Sequence, residues 1–94
     1  MITGRKSNTY WSKEQIRSAR RVDIVPLLQH QGVQLRDKAA GNYEVLQHRG
    51  LIVKKNYWNW PDQDMQGNPI EYFMYVVGLS FTESMSEIDS LYRL

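Results

Sequence analysis

The sequence predicts one α+β domain, in which a small antiparallel β-sheet of about three strands is flanked by two N-terminal and two C-terminal helices. Three observations support this fold class. Helix-start signals with a capping side chain occur twice in the first third of the chain and twice in the last third. Between these two pairs of signals, apolar residues recur at every second position, as in a β-strand, and short turns link the segments. With 94 residues, the chain is long enough for one core but not for two.

The sequence predicts a flexible N-terminal arm over residues 1–11, followed by a single domain over residues 12–94. Ser12 and Gln15 have the spacing of a capping box, in which each side chain bonds the backbone N–H of the other residue. A short helix should therefore run from about Lys13 to Arg20.

A second helix should follow directly. Asp23 is a suitable N-cap, and Val22 and Leu27 have the spacing of a hydrophobic staple. Gly32 can end this helix in a left-handed turn. The two short helices are expected to form an angled hairpin.

The sheet is expected in the middle of the chain. Val33 and Leu35 alternate with polar residues before a turn-forming DKAAGN segment. The links between the segments that follow are short enough for antiparallel hairpins. Three extended segments are expected, at residues 43–46, 51–54 and 57–60, and the following PDQDMQGN segment is expected to be a loop.

Two further helices should close the domain. Asn68 and Glu71 form one capping box, and Gly78 can end the helix that they begin. Ser80 and Glu83 form another and should begin the last helix. One apolar stripe is expected on the first of these helices, formed by Ile70, Phe73, Met74 and Val77.

Composition excludes several classes of protein. The absence of cysteine removes disulfides, thiolate zinc sites and cysteine nucleophiles. No run of about eighteen apolar residues is present, and the N-terminal segment lacks the apolar region of a signal peptide, so a cytoplasmic location is expected. The closing helical pattern, which continues to the last residues, favours a piece of a longer protein.

Catalytic and cofactor motifs are not found. His30 and His48 lie far apart in sequence, and neither belongs to a nucleophile or zinc motif. No phosphate-binding glycine motif occurs. Asp62 and Asp64 alone are a weak signal for a cation site. We therefore expect a non-catalytic module without a cofactor.

Charge is distributed unevenly along the chain. Residues 1–21 hold six basic side chains against one acid, whereas residues 82–94 hold three acids against one arginine. This asymmetry indicates either a polyanionic partner or ordinary solvated helix faces.

The strongest functional signal is the segment LIVKKNYWNW. Lys54 and Lys55 precede Tyr57, Trp58 and Trp60, a mixture of cations and aromatic rings that is typical of single-strand nucleic-acid platforms. Strand alternation puts both tryptophans on one face and Tyr57 on the other. The alternative is that the tryptophans complete the core and leave Tyr57 exposed.

Two longer patterns resemble a known family. IRSARRVDIVPLLQHQGVQL, from Ile16 to Leu35, is similar to the opening helices of the N-terminal zinc-ribbon domain of bacterial replicative primases. It is more similar to cysteine-poor relatives in Toprim-type, primase-like proteins of mobile elements. Further matches to the family pattern follow in order at Trp58, Gly67, Asn68, Ile70, Tyr72, Gly78, Ser80, Phe81 and Glu83.

The resemblance implies a zinc-ribbon fold that has lost its metal. The four ligand positions of the family fall at Val45, His48, Trp60 and Gln63, and only His48 keeps a ligating side chain. We expect Val45 and Trp60 to fill the former metal position by apolar packing, with His48 held by a backbone hydrogen bond.

Two functions follow as hypotheses. In the family this domain binds template DNA, which implies a DNA-binding module with single strands favoured. Its phosphate contacts would be Arg17, Arg20, Arg21, Lys54 and Lys55, assisted by Arg49, with Tyr57 or Trp58 stacking on bases. Alternatively, the module docks onto a Toprim domain or a helicase through Tyr10, Trp11, Tyr72, Tyr75 and Val76.

Overall fold

The structure is a computed structural model and describes residues 10–94. It is an α+β domain with four α-helices and a five-stranded antiparallel sheet. Residues 1–9 of the predicted arm lie outside the described residues, while Tyr10 is exposed and Trp11 packs against the core. The elements in chain order are α1 (Lys13–Ala19), α2 (Ile24–His30), β1 (Leu35–Asp37), β2 (Tyr43–Val45), β3 (Ile52–Lys54), β4 (Tyr57–Trp60), β5 (Met65–Gly67), α3 (Pro69–Glu71, continued by a π-helix over Tyr72–Val77) and α4 (Phe81–Tyr92).

The two N-terminal helices begin where the sequence predicts. Ser12 Oγ accepts from the Gln15 backbone N–H at 3.0 Å, and the Ser12 N–H donates to Gln15 Oε1 at 2.8 Å. Asp23 Oδ1 accepts from the Val25 N–H at 3.0 Å and caps α2. Gly32 follows α2 with a φ of +81°, which confirms the predicted left-handed turn.

The sheet is a simple meander in the order β1-β2-β3-β4-β5, with every pair antiparallel. It has two more strands than the count of about three predicted from the sequence. The largest difference is β5, which lies inside the segment predicted to be a loop. Its residues, Met65–Gly67, carry no alternating apolar pattern, and it becomes a strand because it pairs with β4.

The two faces of the sheet differ in burial. Val45, Val53 and Trp58 are fully buried on the face that the helices cover. The other face carries the alternate residues, among them Lys54 and Tyr57, which are exposed. The outer face is therefore available for a ligand.

The helix after Asn68 departs from the predicted pattern. Ile70 and Phe73 are buried as expected, but Val77 is 52% exposed and Tyr72 is only 2% exposed. The apolar stripe was predicted with α-helical spacing, whereas residues 72–77 form a π-helix, whose wider turn rotates later side chains away from the stripe. Tyr72 therefore cannot belong to a docking surface.

The last helix begins as predicted. Gly78 ends the π-helix with a φ of +92°, and Ser80 and Glu83 form the expected capping box. No helix within residues 10–94 combines the length and apolar character needed to cross a membrane.

Candidate nucleic-acid interface

The tip of the β3–β4 hairpin is attached to the start of α2. Lys54 pairs with Tyr57 across the hairpin, leaving Lys55 in the turn. The Ile24 backbone N–H donates to the Lys55 carbonyl oxygen at 2.8 Å. Because Arg21 lies three residues before Ile24, the structure brings the basic end of α1 and the basic hairpin tip to the same end of the domain.

Helix α1 presents its cations along one face. Lys13, Arg17 and Arg20 are exposed and line a cavity of about 240 Å³ together with Ile16, with no acidic side chain in its lining. Arg21, just after the helix, is also exposed. These side chains form a basic face with no acid in the groove to neutralise it.

The two aromatic candidates have opposite environments. Tyr57 is 46% exposed, and its hydroxyl donates to Gln66 Oε1 at 2.5 Å on the neighbouring strand. Trp58 is fully buried, donates through Nε1 to the Asn68 carbonyl at 2.8 Å and makes an edge contact with Tyr72. The prediction that Trp58 stacks on a base is therefore wrong, because strand alternation turns its ring into the core. Tyr57 is the ring that a base can reach.

Arg49 lies apart from the other predicted contacts. It belongs to the β2–β3 loop, at the end of the strands opposite to the Lys54 and Lys55 hairpin tip. There it lines a cavity of about 180 Å³ with Arg36, Glu44 and Leu46. Arg49 is therefore distant from Lys54 and Lys55, with which it was predicted to contact phosphates.

Glu44 partly neutralises this second basic group. The Gly50 backbone N–H donates to Glu44 Oε2 at 2.9 Å, and Arg36 Nη1 lies 3.8 Å from Glu44 Oε1. The Gly50 hydrogen bond, followed by the positive charges of Lys38, Arg36 and Arg49, lowers the pKa of Glu44. Glu44 therefore stays ionised and offsets part of the attraction that this end exerts on an anion.

The positions that the family resemblance assigns to metal ligands lie at that same end of the sheet. Strands β2 and β4 run in the same direction on either side of β3. Their last residues, Val45 and Trp60, therefore lie at the same end of the sheet. The centroid of the His48 ring lies 5.0 Å from that of the Trp60 ring, and the backbone N–H of His48 donates to the Val45 carbonyl at 3.0 Å. Trp60 Nε1 donates to the Arg49 carbonyl at 3.1 Å, while Gln63 is exposed in a 3₁₀ turn.

These positions offer one nitrogen ligand and no thiolate. Within residues 10–94, no group of three or more His, Cys, Asp or Glu side chains is arranged to hold a metal ion. Val45 is buried and Trp60 packs against the core cluster, so apolar contacts occupy this end of the sheet.

The sequence did not single out Asn59 and Gln66, two polar residues on the outer face, and it offered Asp64 only as a weak cation candidate. Asn59, Asp64 and Gln66 line a third cavity, where β4 turns into β5. Asn59 and Gln66 face each other across the two strands. The only signal that could have revealed them was the pairing of β5, which its three residues do not predict.

No protein-family model, curated protein or solved structure matches the chain. The geometry of the described residues therefore carries the functional argument.

Proposed function

We propose that this chain is a non-catalytic, cofactor-free DNA-binding module that prefers single strands and acts in the cytoplasm within a primase-like replication protein. The observation that carries the proposal is the bond between Ile24 and Lys55, at 2.8 Å. Through it, two basic segments distant in sequence share one end of the domain beside an exposed aromatic ring. Cations that hold phosphates next to a ring that stacks on bases are the two components of a single-strand site.

Each residue has a role in this proposal. Arg17, Arg20 and Arg21 from the α1 side, with Lys54 and Lys55 from the hairpin, contact phosphates. Tyr57 stacks on a base, with its ring held in place by the hydroxyl bond to Gln66. Arg49 makes a weaker contact at the far end, because Glu44 neutralises part of the charge there.

The backbone of Lys55 supports a functional role for this lysine. Its φ is +51°, in the left-handed region that costs a residue with a side chain about 1–2 kcal/mol. Glycine or asparagine would suit this turn better. A lysine at this strained position, next to another cation, is consistent with a role for its charge, because the turn itself would be more stable with a different residue.

The family resemblance is part of the same proposal. We infer a zinc ribbon whose metal has been replaced by packing, working beside a Toprim domain or a helicase. The contact between the His48 and Trp60 rings supports it, because these are two of the four positions that the resemblance predicts to lie together around a metal. Side-chain packing at this end is consistent with a scaffold that has lost its ion.

Fluorescence anisotropy with labelled single-stranded and duplex oligonucleotides at two salt concentrations tests the binding. We expect tighter binding to the single strand and a steep loss with added salt. The double variant Lys54→Ala/Lys55→Ala should weaken binding to all sequences about equally. The variant Arg36→Ala/Arg49→Ala removes the same charge at the opposite end and serves as the matched control, with a smaller expected effect. Equal losses in both variants would show a general charge effect and would refute the site.

A second function is favoured by a different observation. Tyr75 is 55% exposed, Val77 52% and Phe81 37%, and the three lie close together in the sequence around Gly78. We propose as the alternative that these three exposed apolar side chains dock onto a Toprim domain or a helicase. Absence of oligonucleotide binding together with a complex that Tyr75→Ser disrupts would favour this function over the first.

A further inference from the structure

A small cavity lies beside the turn from β4 to β5, farther along β4 from Tyr57. It has a volume of about 150 Å³ and is lined by Asn59, Pro61, Asp64, Met65 and Gln66. Clefts that hold whole small-molecule ligands are usually ~300–1,000 Å³. This cavity is therefore suited to one planar ring rather than to a complete metabolite.

The lining combines directed polar groups with apolar surface. Asn59 and Gln66 are cross-strand partners, and their carboxamides together supply donors and acceptors. Asp64 follows the 3₁₀ turn in a left-handed conformation, with a φ of +54°, and its backbone N–H donates to the Pro61 carbonyl at 2.9 Å. Its carboxylate, when ionised, only accepts hydrogen bonds.

The cavity is physically connected to the proposed stacking ring. The Tyr57 hydroxyl bonds Gln66, which also lines the cavity. Tyr57 and Asn59 lie on the same face of β4, two residues and thus about 7 Å apart. A base next to the one stacked on Tyr57 can therefore reach Asn59 and Asp64.

We propose that this cavity binds one base of the single strand and prefers bases with an exocyclic amino group over thymine. This inference rests on the proposed DNA-binding function. A carboxylate repels phosphates, so Asp64 favours DNA only if a base donates to it. The amino group of cytosine is such a donor, whereas thymine has a carbonyl oxygen at the same position.

The test compares anisotropy titrations with oligo-dC and oligo-dT of equal length. Both are pyrimidines, so stacking on Tyr57 is closely matched and the ratio of the two affinities reports the cavity. We expect oligo-dC to bind about tenfold tighter, the discrimination that one good pair of base contacts supplies. In Asp64→Asn the ratio should fall to about two or less, because the amide no longer presents two acceptor oxygens.

Asp62→Asn provides the matched control. It removes the same charge two residues away, but Asp62 lies against Gly50 rather than in the cavity lining. The control should strengthen binding of both oligonucleotides slightly and leave their ratio unchanged. Asn59→Ala, on the opposite wall, should lower the ratio without lowering the affinity for oligo-dT.

The outcomes separate this inference from the function on which it rests. Equal, salt-sensitive binding of oligo-dC and oligo-dT would overturn the base preference and leave the DNA-binding proposal standing. A ratio that Asp64→Asn does not change would also overturn the assignment to this cavity. Failure of both oligonucleotides to bind at low salt would overturn both proposals.

Discussion

Replacing Lys55 by glycine should stabilise the domain and weaken DNA binding at the same time. The φ of +51° at Lys55 costs about 1–2 kcal/mol for a residue with a side chain and almost nothing for glycine. Glycine also gives the unfolded chain more conformational freedom, and this lowers the free energy of unfolding by about 0.4–1 kcal/mol, which offsets part of the gain. We therefore expect the free energy of unfolding to rise by about 0.5–1 kcal/mol. The backbone carbonyl that bonds Ile24 is kept in the variant.

Two measurements on the same variant test the reasoning. Urea unfolding followed by circular dichroism should show a higher midpoint with an unchanged slope. Anisotropy titrations should show weaker binding at low salt. The slope of log K against log salt should fall by about one, since one phosphate contact is lost.

Ala40→Gly is the matched control. Ala40 has a φ of +55° in the β1–β2 turn, so the substitution relieves similar strain without changing charge. It should raise stability by a similar amount and leave DNA binding unaltered. A stabilised Lys55→Gly variant with unchanged affinity would show that Lys55 does not contact DNA. A destabilised variant would show that the turn is not strained.

Three further results are expected. Trp58→Ala should cost about 3–5 kcal/mol of stability, measured by urea unfolding, because a fully buried ring is lost. Tyr57→Ala should instead lower single-strand affinity about five- to 150-fold at little cost in stability. Burial raises the pKa of Tyr72 to about 12, above its ordinary value of 10, so the stability that this residue contributes is intact below pH 10 and is lost as the pH rises towards 12. Urea unfolding across this range should show a decline to which Tyr72 contributes up to about 1.4 kcal/mol per pH unit, and Tyr72→Phe should remove that contribution. Metal analysis of purified protein should find no stoichiometric zinc, and a chelator should leave the melting temperature unchanged. One zinc per chain would overturn the proposal that the domain is a zinc ribbon without its metal.

The helix starts could be predicted because their chemistry is local. In each capping box two residues lie three positions apart, and the side chain of each accepts a hydrogen bond from the backbone N–H of the other, as in the pairs Asn68–Glu71 and Ser80–Glu83. No distant part of the chain is needed to form them. The same holds for the glycine stop at Gly78, which depends on a single backbone conformation.

The remaining features depend on contacts between distant residues. The π-helix buries Tyr72 against Trp58, and a pattern search with α-helical spacing places Tyr72 off the buried stripe. The strand β5 exists because β4 offers it a partner. The proposed grouping of the cations also needed the structure. A hydrogen bond between Ile24 and Lys55 puts Lys55 and the segment of Arg21 at the same end of the domain, whereas Arg49, nearer to Lys55 in sequence, lies at the opposite end.

The proposed loss of a metal would have a consequence for the rest of the domain. A structural zinc ion contributes about 10–16 kcal/mol of binding free energy, comparable to the whole stability of a domain of this size. The contact between His48 and Trp60 and the nearby hydrogen bonds stabilise their loops but supply only a fraction of that. If the domain is a zinc ribbon without its ion, as we propose, it must bury more apolar surface elsewhere. Here the buried core extends from α2 across the sheet to Met85 and Ile88 of α4, so residues of the last helix help to hold the sheet on which the proposed site lies.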